Sequence, residues 1–258
     1  MCTLSVLIVH YNTADLLRRS LTALFSDPPE VSFEVLVVDN ASPDETVRDL
    51  SREFPDAVFH FNRRNVGFAQ AGNQAIGMSK GRYPMLLNPD TVVRGEGLDR
   101  LVAFMEAHPD AGICSPRLVY PDGKLQLSCR RFPTLLVLLL RITRFERLIP
   151  GPVRHYLMAD WDHMSIREVD WVIGACMVLR REALEEVGFL DGAFFMYYED
   201  IDLCYRLWQK GWKVYYNPDV TVLHNHQRMS ARLLPNRLSY VHARSLLRLW
   251  RKQRLAWF

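Results

Sequence analysis

The sequence has little of what staples a small fold together. Its five cysteines, Cys2, Cys114, Cys129, Cys176 and Cys204, are scattered, odd in number and contain no CxxC pair. That argues against a disulfide framework or a structural zinc site and points to a reducing cytosol. No apolar run reaches the roughly 18 to 20 residues that a spanning helix needs. The longest, Leu135 to Leu140, is cut by Arg141, so the chain is expected not to cross a bilayer. Met1 to Val9 lacks the basic start of a secretory signal and reads as a buried strand. There is no internal repeat and no low-complexity segment. Two phosphate cradles are missing as well. The lack of a G-x-x-x-x-G-K-[ST] loop argues against a P-loop, and the lack of G-x-G-x-x-G after the first strand counts against a dinucleotide dehydrogenase.

One more absence is local. From Arg228 to the end there are eight Lys/Arg and no Asp/Glu. Of the 32 basic residues 24 therefore precede it, against 29 acidic ones, a balance of −5 beneath the overall +3. A basic tail on a mildly acidic body suits an anionic surface. With Pro235 in the first turn, Pro235 to Trp257 reads as a helix. At 100° per residue Arg237, Arg244, Arg248, Arg251 and Lys252 gather opposite Leu238, Leu246, Leu249, Trp250 and Trp257. That pattern predicts an amphipathic helix lying on an anionic membrane. A helix docked on the body is the alternative. Nucleic acid is not expected as a partner, since no groove-reading motif accompanies the charge.

What is present alternates. Leu4 to Val9, Glu34 to Val38, Ala57 to Phe61 and Tyr83 to Leu87 read as buried strands. Asp15 to Phe25, Asp44 to Phe54 and Val66 to Met78 read as the helices between them. That order predicts an α/β fold with a mainly parallel sheet covered on both faces. Cys114 to Arg167 is irregular, so an insert at about 115–167 is expected, partly helical and broken at Pro150-Gly151-Pro152. A strand pair crossing Gly174, helices at Arg181 to Val187 and Asp200 to Gln209, and one or two strands over Trp212 to Val222 complete the body. The domain is taken as 1–230 and the tail as 231–258.

Ligands of parallel α/β sheets bind beyond the carboxyl ends of the strands. Three of the strands end in polar residues there: Tyr11-Asn12-Thr13, Asp39-Asn40-Ala41-Ser42 and Asn88-Pro89-Asp90. One such Asp is ordinarily a helix cap, whereas three successive polar ends suggest a shared cleft. With no phosphate loop, a diphosphate there calls for a carboxylate-held Mg²⁺ or Mn²⁺, and Asp90 stands where it could supply a ligand. Glu199, Asp200 and Asp202 follow the aromatic run Phe194 to Tyr198. They read either as a negatively charged helix start or, in a cleft, as a source of a general base. His224, at another strand end, could complete a metal shell.

These stretches together resemble a family 2 glycosyltransferase of the GT-A fold, in its rhamnosyltransferase-like branch. They are Val6 to Asn12, Val37 to Ser42, Asn65 to Ala69 with Gly72-Asn73, Leu86 to Thr91, Gly174 to Met177, Tyr198 to Leu203 with Arg206, and Val222 to His224. They run in family order over about nine-tenths of the chain. The resemblance implies a Rossmann-like sheet and an inverting transfer from a dTDP- or UDP-sugar. Asp39 would hydrogen-bond the donor's pyrimidine, Tyr11 and Asn12 would line the nucleotide pocket, and Asn65 and Gly67 would shape the loop beside it. Asp90 matches the last carboxylate of the family's D-x-D motif, with Asn88 in place of the first. Asp200 matches the catalytic base, with Glu199 beside it contacting acceptor or base, and His224 would be an auxiliary metal ligand. The branch favours dTDP-rhamnose as donor; a UDP-hexose or UDP-galactofuranose is the alternative. The implied acceptor is a polysaccharide or lipid-linked glycan at the inner membrane face. A nucleotidyltransferase would need a Gly-rich basic loop where Tyr11-Asn12-Thr13-Ala14 stands, and a non-catalytic scaffold would not need Asp90, Glu199 and Asp200 together.

Overall fold

In a computed structural model of the protein, residues 2–43, 45–143, 145–225 and 237–252 are described. The first half alternates as expected: β1 (Leu4–His10), α1 (Ala14–Ser26), β2 (Phe33–Asp39), α2 (Thr46–Glu53), β3 (Ala57–Phe61), α3 (Phe68–Met78) and β4 (Tyr83–Leu87). Then come β5 (Thr91–Val92), α4 (Gly95–Ala107), β6 (Ala111–Val119), β7 (Cys129–Arg130), α5 (Leu135–Thr143) and α6 (Pro150–Tyr156). The last stretch holds β8 (Arg167–Glu168), β9 (Trp171–Val172), β10 (Cys176–Leu179), α7 (Arg181–Val187), α8 (Glu199–Gln209), β11 (Lys213–His224) and α9 (Arg237–Lys252).

Among the described residues the main sheet runs β3-β2-β1-β4-β10-β6-β11-β5, with β8 beside β11. β3, β2, β1 and β4 are parallel, and so are β6 and β11. β10 alone runs against both its neighbours, pairing Met177 with Leu86 and Val178 with Cys114. Every residue of β1 is buried. Its alternate side chains feed two cores, as a doubly covered sheet requires. Leu4, Val6 and Ile8 pack with Leu17, Leu21 and Leu24 of α1. Leu7 and Val9 pack with α3, whose Ala69, Ala71 and Ala75 are small enough to let the helix lie close to the sheet.

Several expectations change. The irregular stretch does not begin at Cys114: Ala111–Val119 is a central strand. Pro116 and the polar Ser115 and Arg117 hide its period in sequence, yet the segment is held in parallel register by β11. Pro150-Gly151-Pro152 opens α6 rather than breaking a helix, since a proline in the first turn costs no hydrogen bond. The strand pair across Gly174 does not form: β9 pairs with β7 and β10 with the main sheet. Trp212 to Val222 yields one strand, Lys213–His224, with a register shift between Asn217 and Thr221. The helix starts read at Asp44 and Asp200 shift to Thr46 and Glu199, Asp44 itself lying outside the described residues.

The terminal helix corrects the expected split of faces. Ser245 and Leu249 are buried, and Ser245 Oγ donates to the Met196 carbonyl (2.9 Å). Arg248 and Lys252, though still partly exposed, reach back to the body: both pair with Asp191 at 2.9 Å, and Lys252 also with the buried Asp202 at 2.8 Å. Tyr240, Leu247 and Trp250 point outward instead, with Arg244 and Arg251 also exposed. Pro235, His226 and Trp257 lie outside the described residues, as do the side chains of Arg237 and Leu238.

Candidate active site

The carboxyl ends of β2, β1, β4, β6 and β11 meet the amino end of the antiparallel β10 along one edge of the sheet. At its β1–β2 end, His10 is fully buried and hydrogen-bonded on both nitrogens. The Thr13 N–H donates to Nε2 (3.0 Å), so Nδ1 carries the proton and donates to Asp39 Oδ1 (3.0 Å). Ser42 adds its hydroxyl (2.6 Å) and its N–H to the same carboxylate, and the Asn12 N–H donates to Ser42 Oγ (2.9 Å). Burial disfavours the charge on Asp39, but the His10 and Ser42 hydrogen bonds outweigh it and hold the carboxyl below its ordinary pKa. Asp39 is thereby a fixed anion at the strand end, with Tyr11 half exposed beside it. An open cleft of ≈ 450 Å³ at the start of α1 is lined by Asn12, Thr13, Arg19, Thr46 and Asn225.

Asn40 extends this network. Its Nδ2 donates to Asn65 Oδ1 (3.0 Å), which also receives the Gly67 N–H (3.0 Å). Gly67 has φ +88°, and a Cβ there would come within 2.5 Å of the Phe195 carbonyl oxygen. Only glycine fits, because backbone meets backbone where the Phe68 N–H donates to Phe195 O (2.7 Å). The donor-side loop is thus fastened to the aromatic run that leads into α8.

That run ends in two consecutive left-handed residues, Tyr197 (φ 70°) and Tyr198 (φ 71°). Such conformations are costly for bulky side chains and gather at functional sites. Their effect is to turn the chain so that Glu199 and Asp200 open α8 at the cleft. Asp200 is oriented by backbone donors: the Gly174 N–H to Oδ2 (3.1 Å) and the Ile201 N–H to Oδ1 (2.8 Å). Burial raises the pKa of both carboxyls, and the charge of Asp200 raises that of Glu199 further. The pair therefore holds protons more tightly than free carboxylates do.

The segment Gly174-Ala175 ties this pair to the third cluster. Asp200 binds Gly174, and the Asn88 N–H donates to the Ala175 carbonyl (2.9 Å). After Asn88 the chain turns, and β5 pairs Thr91 with His224 of β11. The Asn225 N–H donates to the Asp90 carbonyl (2.8 Å), and His224 Nε2 lies 3.3 Å from Asp90 Oδ1. Gln126 fixes that imidazole: its Nε2 donates to the His224 carbonyl and its Oε1 accepts from Nδ1–H, both at 2.8 Å. The imidazole Nε2 faces the Asp90 carboxylate. A nitrogen and a carboxylate oxygen at this spacing fit a divalent cation. No group of three or more His, Cys, Asp or Glu is gathered among the described residues, so other positions would fall to a ligand's oxygens and water.

Tyr11, Asn12, Asp39, Asn65, Gly67, Asn88, Asp90, Glu199, Asp200 and His224 thus gather along one edge, whereas Asp202 does not join them: it is fully buried and pairs with Arg206 and Lys252. The sequence motifs contain His10 and Ser42 without assigning either a role, and they leave out Gln126. Gln126 had one cue: a polar residue between two leucines after the Pro121-Asp122-Gly123 turn, where a buried strand-like stretch begins.

Residues 5–188 match the model of Glycosyl transferase family 2. An N-acetylglucosaminyl-diphospho-decaprenol L-rhamnosyltransferase of Mycobacterium tuberculosis is 30% identical over 240 residues, 89% of this chain and 78% of that protein. Rhamnosyltransferase WbbL of Escherichia coli is 25% identical over 233 residues, 85% of this chain and 82% of that one. Among solved structures, GalNAc-T7 with UDP, GalNAc and Mn²⁺ superposes with a TM-score of 0.71 at 17% identity, covering 97% of this chain. A mannosyltransferase of Pyrobaculum calidifontis with GDP-Man and Mn²⁺ superposes at 0.59 and 20% identity, covering 88%. The chain spans only 48% and 57% of those two structures, whose likeness is one of fold.

Proposed function

Because this chain belongs to glycosyl transferase family 2, is rhamnosyltransferase-like in sequence and has the GT-A fold, we propose that it transfers L-rhamnose from dTDP-rhamnose to a hydroxyl of a polysaccharide or lipid-linked glycan. The observation that carries this reading is the buried Glu199–Asp200 pair opening onto the same sheet edge as Asp39 and Asp90. The lipid-linked acceptor is carried over from the mycobacterial relative, named for a diphospho-decaprenol substrate.

Asp39, anchored by His10 and Ser42, accepts hydrogen bonds from the donor's pyrimidine. Tyr11, Asn12, Asn65 and Gly67 enclose the nucleotide, and Asn88 stands beside the sugar diphosphate. Asp90 and His224 would hold Mg²⁺ or Mn²⁺. When bound, the cation neutralises charge growing on the departing diphosphate. Asp200, its two oxygens oriented by the Gly174 and Ile201 amides, takes the proton from the acceptor hydroxyl. That oxygen attacks the anomeric carbon opposite the leaving nucleotide, so one displacement inverts the configuration. Glu199 positions the acceptor and, being reluctant to ionise, keeps a proton close to Asp200. The enclosing aromatic run keeps water from competing. The outward face of α9, with Tyr240, Leu247 and Trp250 beside Arg244 and Arg251, holds the protein on the anionic inner face of the membrane.

Incubation with labelled dTDP-rhamnose, UDP-glucose and UDP-galactofuranose, each with a lipid extract, tests the reading. Label should pass from dTDP-rhamnose into the organic phase. Transfer from a UDP-sugar alone would move the assignment to a hexosyltransferase of the same fold, and binding without transfer would make it a scaffold.

A further inference from the structure

The segment between β6 and β9 carries charge and apolar surface that the roles above leave unused. From Arg130 to Leu157 there are six arginines and one acidic residue. Two of them meet on Tyr156, which is buried: the guanidinium carbons of Arg130 and Arg141 lie 5.8 and 5.6 Å from its ring centre. Arg130 also stacks over Trp171 at 5.1 Å. Among the described residues no carboxylate pairs with Arg130, and Arg141 has only Glu146 at 4.0 Å. Arg130 Nε donates to the Leu127 carbonyl (3.4 Å), and stacking fixes the planes of both guanidinium groups while leaving their terminal N–H groups for an anion.

Arg130 pairs with Trp171 of β9, three residues before the Gly174 whose N–H holds Asp200, so the arginines stand beside the Glu199–Asp200 pair. Arg130 and Arg141 both favour ionisation of the Tyr198 hydroxyl, Arg130 does the same for Asp200, and desolvation opposes them at both groups. Arg141 stands near the end of α5, whose preceding stretch Leu135 to Leu140 is apolar throughout. Val137 and Leu140 anchor it in the core, while Leu136 (53% exposed) and Leu139 (50%) face solvent, joined by Leu148 (74%) ahead of α6. An apolar face of this kind beside cations marks a binding surface. A phosphate joined to a hydrocarbon chain complements both features at once, which neither a free sugar nor an ordinary protein surface does.

We propose that Arg130 and Arg141, stacked on Tyr156, bind the phosphate of a lipid-linked acceptor whose hydrocarbon chain lies along Leu136, Leu139 and Leu148. The word acceptor rests on the function proposed above; the site for a lipid phosphate does not. Calorimetry with the full chain tests it, with saturating dTDP and Mn²⁺ filling the donor side. The probes are farnesyl diphosphate, inorganic pyrophosphate and farnesol. Farnesyl diphosphate should bind at least about tenfold more tightly than either of the others. Arg141→Gln, at an exposed position that tolerates change, should bring it down to the level of farnesol. Leu136→Ser with Leu139→Ser should bring it down to the level of pyrophosphate. Equal binding of all three probes, or farnesyl diphosphate binding untouched by both variants, overturns the proposal. So does displacement by dTDP, which would place the probe in the donor site. A dimer in sedimentation that the leucine variant disperses would make this face a subunit contact instead. Failure of dTDP to bind counts against the proposed function alone.

Discussion

Gln126 grips His224 twice, donating to its carbonyl and accepting from its Nδ1–H, both at 2.8 Å. The amide thereby sets the tautomer and the tilt of an imidazole whose other nitrogen faces Asp90. Partners of this kind to a metal ligand are commonly worth about 10- to 100-fold in metal affinity. Gln126→Leu should therefore raise the Mn²⁺ concentration needed for dTDP binding by about that factor. Binding measured in chelator should change little. An unaltered Mn²⁺ requirement would leave Gln126 a purely structural link, and an absence of any requirement would return Asp90 to a strand-end cap.

Asp200→Asn keeps the shape and one of the two backbone hydrogen bonds, since its single amide oxygen can accept from only one of the Gly174 and Ile201 N–H groups, and it removes the basicity. Turnover should fall by roughly 10²-fold or more while dTDP affinity holds. Since burial raises the pKa of Asp200, the wild-type rate should climb with pH through a midpoint above the ordinary carboxylate range. A near wild-type rate in the Asn variant would remove Asp200 from the role of base.

Glu199 gives a stability test with a definite sign. Burial and the neighbouring Asp200 raise its folded-state pKa to about 8. The folded protein then binds a proton that the unfolded chain has lost, so stability falls as pH rises between the two pKa values. Glu199→Gln removes that loss. Its Tm relative to wild type should be highest near pH 8 to 9 (roughly the upper end of that window) and the advantage should fade toward acid pH. A Tm difference that ignores pH would mean that Glu199 is not buried as described.

Gly67→Ala should perturb the site without touching a polar group. The position has φ +88°, and the new Cβ would run into the Phe195 backbone. A loss of roughly 1 to 3 kcal/mol is expected, with a lower donor affinity as the Asn65 loop lifts from the aromatic run. Chemical denaturation and dTDP titration on one sample give both readouts.

The outward face of α9 makes a separate prediction. Leu247→Ser with Trp250→Ser should abolish sedimentation with phosphatidylglycerol liposomes at low salt and leave dTDP binding intact. Should the wild-type protein ignore such liposomes, α9 serves only to brace α8 through Lys252 and Asp202.

How much of this was legible varies with the physics of each element. β1, β2 and β4 announce themselves because a strand buried on both faces must be an unbroken apolar run. Asp39, Asp90 and Glu199-Asp200 stand out because each charge ends such a run or opens a helix. β6 was missed because Ser115, Pro116 and Arg117 interrupt its apolar run, and pairing with β10 and β11, some sixty to a hundred residues later, holds it. The pairing of Arg248 and Lys252 with Asp191 was equally hidden: helical periodicity gives a face its composition but not the charge of what it packs on. His10 sat inside a quoted motif yet looked like the last residue of a strand, since nothing local says that Asp39 will lie beside it.

β10 has a consequence for how the protein is made. This four-residue strand, Cys176–Leu179, joins β4 to β6, which are contiguous with it in space but some ninety and sixty residues earlier in the chain. Until it is synthesised, β4 presents an open, wholly apolar edge, Tyr83 to Leu87, which is a template for pairing with other chains. The nascent chain must pass through that exposed state, and in refolding the sheet closes only through contacts distant in sequence, which form slowly. Yield of native protein should thus depend on chain concentration and on chaperone supply during this interval, and lowering the rate of collisions between chains should recover more of it than slowing translation.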